Sequence, residues 1–512
     1  MTALGVACAA YCIATVIIAW QAYLAADHHW IYALDDPYIA MAMAKSLSQH
    51  GVWGITQFGF TSSSSSPLFT VVLAILYRLF GVNIWTPLAI SWLSGLATIF
   101  VSNRIIERYI VDTAHRTLAL IAFGVATPLY AIGLVGMENS LHMLLVLLFL
   151  LWMDEGCQLQ LGLVSGLMIV ARYESVFVLA PACLVMAYIR RWREMVSCIA
   201  GAMLAASSYG IYSIAHGGEF LPNSVLIKGV ESGLSPVFLG IIINLLQGAS
   251  LLFLVLMLLV ASVQLWNRER RLATLAFVVA IAGIGHMAGA RMGSSYRYEA
   301  YIVGSAALAV VCIAPRLSIF SNAGKYAFSI LGLMATCAVC YRSIDAAVSM
   351  PQYSRGIYLQ QWQMARFLST YLPQSFVAAN DIGAISYFTD IHCTDLVGLA
   401  DADIFAVKKA HAYTTDFVRM LGARRGVQIT LVYDSWFKGV NPLFFVSGPR
   451  LPQEWALVGK LTTPKTANLG AATVSFYAVQ PQKAQQIRDS LMEFRSSLPS
   501  ADRLDIFPGP QK

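Results

Sequence analysis

PLFTVVLAILYRLF (residues 67–80) is the stretch whose reading decides how this chain is threaded. It is apolar almost throughout, yet shorter than the about 20 residues a bilayer-crossing helix needs, and it carries Arg78. Counted as a span, it would put Arg104, Arg108 and Arg116 on the outer side. Lysine and arginine collect in cytoplasmic loops, so that count runs against the charge pattern. Read as a helix lying in the outer membrane interface, it leaves those arginines inside.

The rest of the threading follows from the basic clusters. Arg190, Arg191 and Arg193, then Arg268, Arg270 and Arg271, then Arg316 and Lys325 mark further inner loops. Between them the apolar runs predict eleven transmembrane helices near 4–25, 84–103, 117–135, 138–153, 159–172, 175–189, 195–215, 236–262, 272–290, 299–315 and 324–344. The N-terminus is then inside and the C-terminus outside. The first run, without a basic leader, reads as a retained helix rather than a cleaved signal. The composition agrees: of 512 residues, 58% are hydrophobic and 12% charged, with a mean hydropathy of +0.64, whereas soluble domains carry about 25% charge. The net charge of +7 is explained by the inner loops and does not call for nucleic acid as a partner.

From about residue 345 the apolar runs shorten. FVAAN (376–380), IHCTDLVGL, VQITLVYDSW (427–436) and AATVSFYAV (471–479) read as strands with helical segments between some of them, giving a small extramembrane α/β domain over 345–512 after a membrane domain over 1–344. The tail beyond about 495 is expected to be poorly ordered. Of the nine cysteines, only Cys393 falls in the polar C-terminal part, so no disulfide is available within it. Cys337 and Cys340, a C-x-x-C inside a predicted span, read as small packing residues.

This threading collects unusual polar residues on the outer face. WIYALDDPYIAMAMAKSLSQHG (30–51) holds Asp35 and Asp36. There Asp36-Pro37 reads as a helix start, with Asp36 as the cap and Pro37 in the first turn. Ile39, Met43 and Leu47 then form one apolar stripe, and Gly51 stops the helix. Asp36 is thereby explained by local structure, and Asp35 is not. GFTSSSSSPLF (59–69) is either a flexible serine loop or a substrate-facing one. GMENSLH (136–142) carries Glu138, ARYES (171–175) carries Arg172 and Glu174, FLPNSVLIKG (220–229) carries Asn223 and Lys228, and RMGSSYRYEAY (291–301) carries Arg291, Arg297 and Glu299. Ionisable groups at membrane edges are functional candidates by default, although Arg172 and Glu174 also read as a structural ion pair. His28 and His29 read as solvated interfacial residues rather than metal ligands.

The ordered series D-D-P-Y-I-A-M-A-M-A-K-S-L, T-S-S-S-S-S-P-L-F, G-M-E-N-S-L, A-R-Y-E-S, L-P-N-S-V-L-I-K and R-Y-E resembles the GT-C superfamily of membrane glycosyltransferases. Within it the series is most similar to the subgroup of the mycobacterial terminal arabinofuranosyltransferase, and more distantly to protein mannosyltransferases. N-D-I-G-A-I-S-Y-F and D-L-V-G-L resemble C-terminal segments of the same subgroup. Tyr173 departs from the pattern, standing where the family often has proline. The resemblance implies a polyprenyl-phosphate-linked sugar donor and a glycan, lipid or protein acceptor on the outer face of a bacterial inner membrane. It implies Asp35 as general base with Asp36 supporting its loop, and Arg172, Lys228 and Arg297 at the donor phosphate. Glu138, Glu174, Asn223, Ser66 and Tyr298 would orient substrate. A divalent metal ion is compatible with the family, but no ligand spacing in the sequence demands one. The rival classes are a lipid or oligosaccharide transporter, which favours inverted repeats and mid-membrane charges, and a non-catalytic membrane scaffold.

Overall fold

The computed structural model describes residues 2–229, 248–293, 295–440 and 446–508. The chain is a polytopic α-helical membrane protein with an extramembrane sheet domain, and its residues divide into two compact units. The first comprises Met1–Gln21, Trp85–Tyr209 and Val237–Met350; the second comprises Ala22–Ile84, Gly210–Pro236 and Pro351–Lys512.

The first unit is helical. Each expected span coincides with a helix among the described residues, although residues 236–247 of the eighth lie outside them. Six described helices are long and apolar enough to cross a membrane. A seventh is the bent pair Thr113–Ala126 and Leu129–Val135. Gln158–Ala171, Tyr173–Tyr188 and Ala249–Leu265 are shorter apolar helices of the same unit. Small residues let the helices close up: a Cβ on Gly201 would lie 1.9 Å from the Gly162 carbonyl oxygen, so the helices Gln158–Ala171 and Trp192–Ala215 meet backbone to backbone there. The last expected span, 324–344, is longer than its apolar run suggests, because the helix Asn322–Ile357 continues through polar sequence. Cys337 and Cys340 are exposed on that helix rather than packed.

In the second unit a six-stranded mixed sheet is formed by β1 (Phe376–Ala379), β2 (His392–Asp395), β3 (Ile429–Val432), β4 (Ala456–Thr462), β5 (Thr473–Ala478) and β6 (Arg503–Ile506), in the order β2-β1-β3-β5-β4-β6. β1 runs parallel to β2 and β3, and the remaining pairs are antiparallel. The expectation of a disordered tail is corrected here. Arg503–Ile506 pairs with β4 from Thr462 to Gly459, because the edge of β4 offers unpaired backbone groups that a short polar segment can satisfy.

The same unit holds the helices Asp36–His50 and Pro67–Phe80, which pack on one another. The serine run between them is not a flexible loop. Ser62, Ser63, Ser64 and Ser66 are buried. Ser66 Oγ caps the second helix by accepting the Phe69 N–H at 3.3 Å, and the Ser64 and Thr70 hydroxyls bond at 2.8 Å.

Candidate functional site

The candidate residues of the second unit centre on Asp35. The helix begins one residue earlier than the local reading places it: Asp36 is its first residue, Pro37 its second, and Asp35 occupies the cap position. Asp35 does not cap that helix with its side chain. Its carboxylate turns instead to the segment DIGAISYF, where Oδ2 accepts the Gly383 N–H at 2.7 Å and Oδ1 accepts the Ala384 N–H at 2.8 Å. The expectation that Asp35 lacks a structural role is therefore corrected. It is buried, while Asp36 is half-buried. Glycine is required at 383, since a Cβ there would sit 2.1 Å from the Asp35 carbonyl oxygen.

The clasp between these segments has two ends. Lys45, further along the same helix, donates to the carbonyls of Tyr387 and Thr389 at 3.2 and 3.4 Å and pairs with Asp390 at 3.1 Å. The helix Gly383–Phe388 thus meets a carboxylate at its N-terminus and an ammonium at its C-terminus, the arrangement its dipole favours. Tyr38 packs between them, its ring centroid 5.9 Å from Tyr387 and 5.3 Å from Phe388.

A second carboxylate, Asp381, lies in the same region. Its Oδ2 accepts the Tyr433 hydroxyl at 2.6 Å and the Gln361 side-chain amide at 3.0 Å. Gln360 and Gln361 are both buried because a π-helical turn at Tyr358–Trp362 rotates two consecutive side chains inward. Among the described residues no cation donates to Asp35 or Asp381. Burial is the main cause that pushes Asp35 up to about 8, with the Asp381 and Asp36 charges adding to it and the two backbone N–H groups opposing it. Burial and Asp36 likewise raise Asp381.

Of the other candidates in this unit, Ser66 is a helix cap, and Asn223 opens the helix Asn223–Gly229 with its N–H on the Ser62 carbonyl at 2.8 Å. Lys228 lies in that helix, and its side chain falls outside the described residues.

The first unit brings five candidates together. Arg172 is buried at the end of the helix Gln158–Ala171 and donates to Glu138 at 2.7 Å and to Glu174 at 2.8 Å. Its guanidinium lies 5.3 Å from the centre of the Tyr298 ring, and that of Arg297 lies 4.7 Å from it. Arg297 also donates to the Tyr298 hydroxyl at 3.0 Å, and its own carbonyl accepts from Asn139 at 2.8 Å. Beside this group Glu299 pairs with Arg342 and accepts the Gly293 N–H at 3.0 Å. Arg342 escaped the sequence reading, although an arginine inside an otherwise apolar helix is itself a signal. Both terminal nitrogens of Arg172 are held by carboxylates, so its charge is already compensated within the protein.

Among the described residues no three His, Cys, Asp or Glu side chains converge as a metal centre would need. Each oxygen of Asp35 accepts one backbone N–H, and Oδ2 of Asp381 accepts one O–H and one N–H.

Comparison with known proteins bears on the fold. The chain is similar to the crystal structures of ArnT from Cupriavidus metallidurans bound to undecaprenyl phosphate and in the apo state. Each gives a TM-score of 0.51 at 13% identity, covering 92% and 93% of this chain and 98% of that one. The fold is of the GT-C type. Residues 352–477 match a family described as a domain of unknown function, DUF8728. No curated protein matches the sequence.

Proposed function

We propose that this protein is a GT-C glycosyltransferase that moves a sugar from a polyprenyl-phosphate-linked donor to a glycan, lipid or protein acceptor of the cell envelope. The observation that carries this reading is the GT-C fold, shared over nearly the whole chain with a protein captured on undecaprenyl phosphate. The ordered motifs of the sequence support it independently, and they alone suggest the arabinofuranosyltransferase subgroup. Positive-inside threading favours an inner-membrane protein with its N-terminus in the cytoplasm and its C-terminal domain outside. The family resemblance alone carries the proposal of Arg172, Lys228 and Arg297 as phosphate-binding residues and of Glu138, Glu174, Tyr298, Asn223 and Ser66 as substrate-orienting ones, and Arg172 could serve only by giving up one of its two glutamate partners.

In this reading Asp35 is the general base for the acceptor hydroxyl. A base works best with its pKa near the working pH, and burial among other carboxylates holds Asp35 at about 8. Its two N–H bonds leave further lone pairs on each oxygen for an incoming hydroxyl. The half-burial of Asp36 favours a second reading, in which Asp36 takes the proton and Asp35 fixes the loop.

The test is sugar transfer from polyprenyl-phosphate donors by purified Asp35→Asn and Asp36→Asn variants. Asp35→Asn is expected to lose at least about 100-fold in rate, the usual contribution of a general base. Wild-type transfer by Asp35→Asn together with an inactive Asp36→Asn would move the base to Asp36. Lipid translocation without donor consumption by the wild-type protein would replace the enzyme reading with a transporter.

A further inference from the structure

At the arginine-rich ends of its helices the first unit contains a cavity of about 600 Å³, within the range of ligand pockets. Its lining combines leucines such as Leu150 and Leu308, here called the floor, with five arginines (Arg108, Arg190, Arg191, Arg270 and Arg271) and the carboxylates Asp154, Glu155 and Glu194, here called the rim. It is separate from the Arg172 cluster. Asp154 and Glu155 precede the 14-residue helix Gln158–Ala171 and Arg172 follows it, so about 20 Å of helix lies between the two.

The rim has more positive charge than it neutralises. Arg108 pairs with Asp154 at 2.8 Å and with Glu155. Arg191 pairs with Glu194 at 3.2 Å and donates to the Met153 carbonyl at 2.7 Å, while its other terminal nitrogen is buried without a hydrogen-bond partner among the described residues. All three rim carboxylates are thus used. Arg190, Arg270 and Arg271 make no ion pair with any described residue, and Arg270 lies 5.8 Å from the centre of the Trp266 ring.

We propose that this cavity binds an anionic membrane phospholipid, its phosphate on the arginine rim and the start of an acyl chain on the leucine floor. Guanidinium groups match a phosphate with paired N–H donors. A free phosphate would leave the apolar floor uncovered, and a zwitterionic lipid would leave the surplus arginine charge unanswered. The location is also the one such a lipid can reach. The cavity lies where the apolar helices Asn139–Glu155 and Val176–Tyr188 end, and in the proposed positive-inside threading its arginines face the cytoplasmic leaflet, whose anionic lipids attract basic segments.

The experiment is native mass spectrometry of the full-length protein in neutral detergent, titrated with phosphatidylglycerol or phosphatidylcholine. One phosphatidylglycerol is expected to bind more tightly than phosphatidylcholine. The Arg270→Ala/Arg271→Ala variant should lose about thirtyfold in that affinity, as expected for two interfacial arginines, and Arg190→Ala a smaller part of it. Ala309→Phe, which leaves every charge in place but fills the floor, should also block the lipid. Thermal melting in neutral detergent identifies variants that fail to fold, in which case Arg190→Ala is read alone. Equal retention of the two lipids, or unchanged phosphatidylglycerol binding in the folded arginine variants, would overturn the proposal. Displacement of the lipid by millimolar inorganic phosphate, with Ala309→Phe still binding phosphate, would reduce the cavity to an ion site and overturn it as well.

Discussion

The two polar clusters of this protein handle buried charge in opposite ways. In the first unit Arg172 stands between Glu138 and Glu174, and Arg342 answers Glu299. In the second unit Asp35 and Asp381 are held, among the described residues, by backbone N–H groups, an amide and a phenol. The first arrangement exchanges hydration for ion pairs. The second leaves carboxylates beside carboxylates, so protonation becomes the cheapest way to remove the repulsion. A compensated cluster holds helices in place, whereas an uncompensated one keeps a proton near neutrality.

The sharpest way to break this contrast is to remove one ion-pair partner. Arg172→Ala would leave Glu138 and Glu174 buried without a cation and is expected to cost about 3–5 kcal/mol, read as a large drop in the thermal midpoint of purified protein. A change within about 0.5 kcal/mol, the range of ordinary surface substitutions, would show that the pair carries no structural load.

The second cluster should respond in its pH dependence. Asp381→Asn removes the charge beside Asp35, so under the proposed function the rise of the transfer rate with pH, expected near 8 for the wild-type protein, should move to lower pH. Stability carries the matching sign. A carboxyl raised from about 3.9 when unfolded to about 8 when folded holds its proton longer in the native state. Its contribution is full below pH 4 and is lost as pH rises toward 8. That loss should shrink in Asp381→Asn. An unmoved profile would mean that the two carboxylates do not sense one another.

The smallest effect belongs to the far end of the clasp. Lys45 is partly exposed and Asp390 largely so, so Lys45→Ala should cost only about 0.3–1 kcal/mol through the helix dipole and a screened ion pair. A loss as large as that of Arg172→Ala would erase the distinction between the two clusters.

Much of the fold could be read directly. The helices of the first unit are legible because backbone in a bilayer must satisfy its own hydrogen bonds, which leaves long apolar runs few alternatives. β1, β3 and β5 are rich in apolar and β-branched residues and are legible for a similar reason, while β2 (HCTD) is legible only through the apolar residues that flank it in IHCTDLVGL. β4 was missed because Gly459 and Lys460 interrupt its apolar pattern, and β6 because RLDI is a strand only where β4 offers it an edge. The candidate residues of GMEN, ARYES and RYE do meet in one cluster, yet nothing in their sequence spacing indicates that Arg172 would be shared by two glutamates or that Arg342 would join Glu299.

Composition and motif order by themselves determined a multi-helix membrane protein, a trailing α/β domain and the short list of polar residues worth examining. They could not assign roles within the pair Asp35-Asp36, because local rules see only the helix that follows. Tertiary structure decided that Asp35 turns away from that helix to the amides of Gly383 and Ala384, 348 and 349 residues distant in sequence. Asp35 is the buried carboxylate, and Asp36 the half-buried one. The reason is electrostatic: an uncapped helix start and a carboxylate each lose hydration on burial, and each restores to the other what was lost.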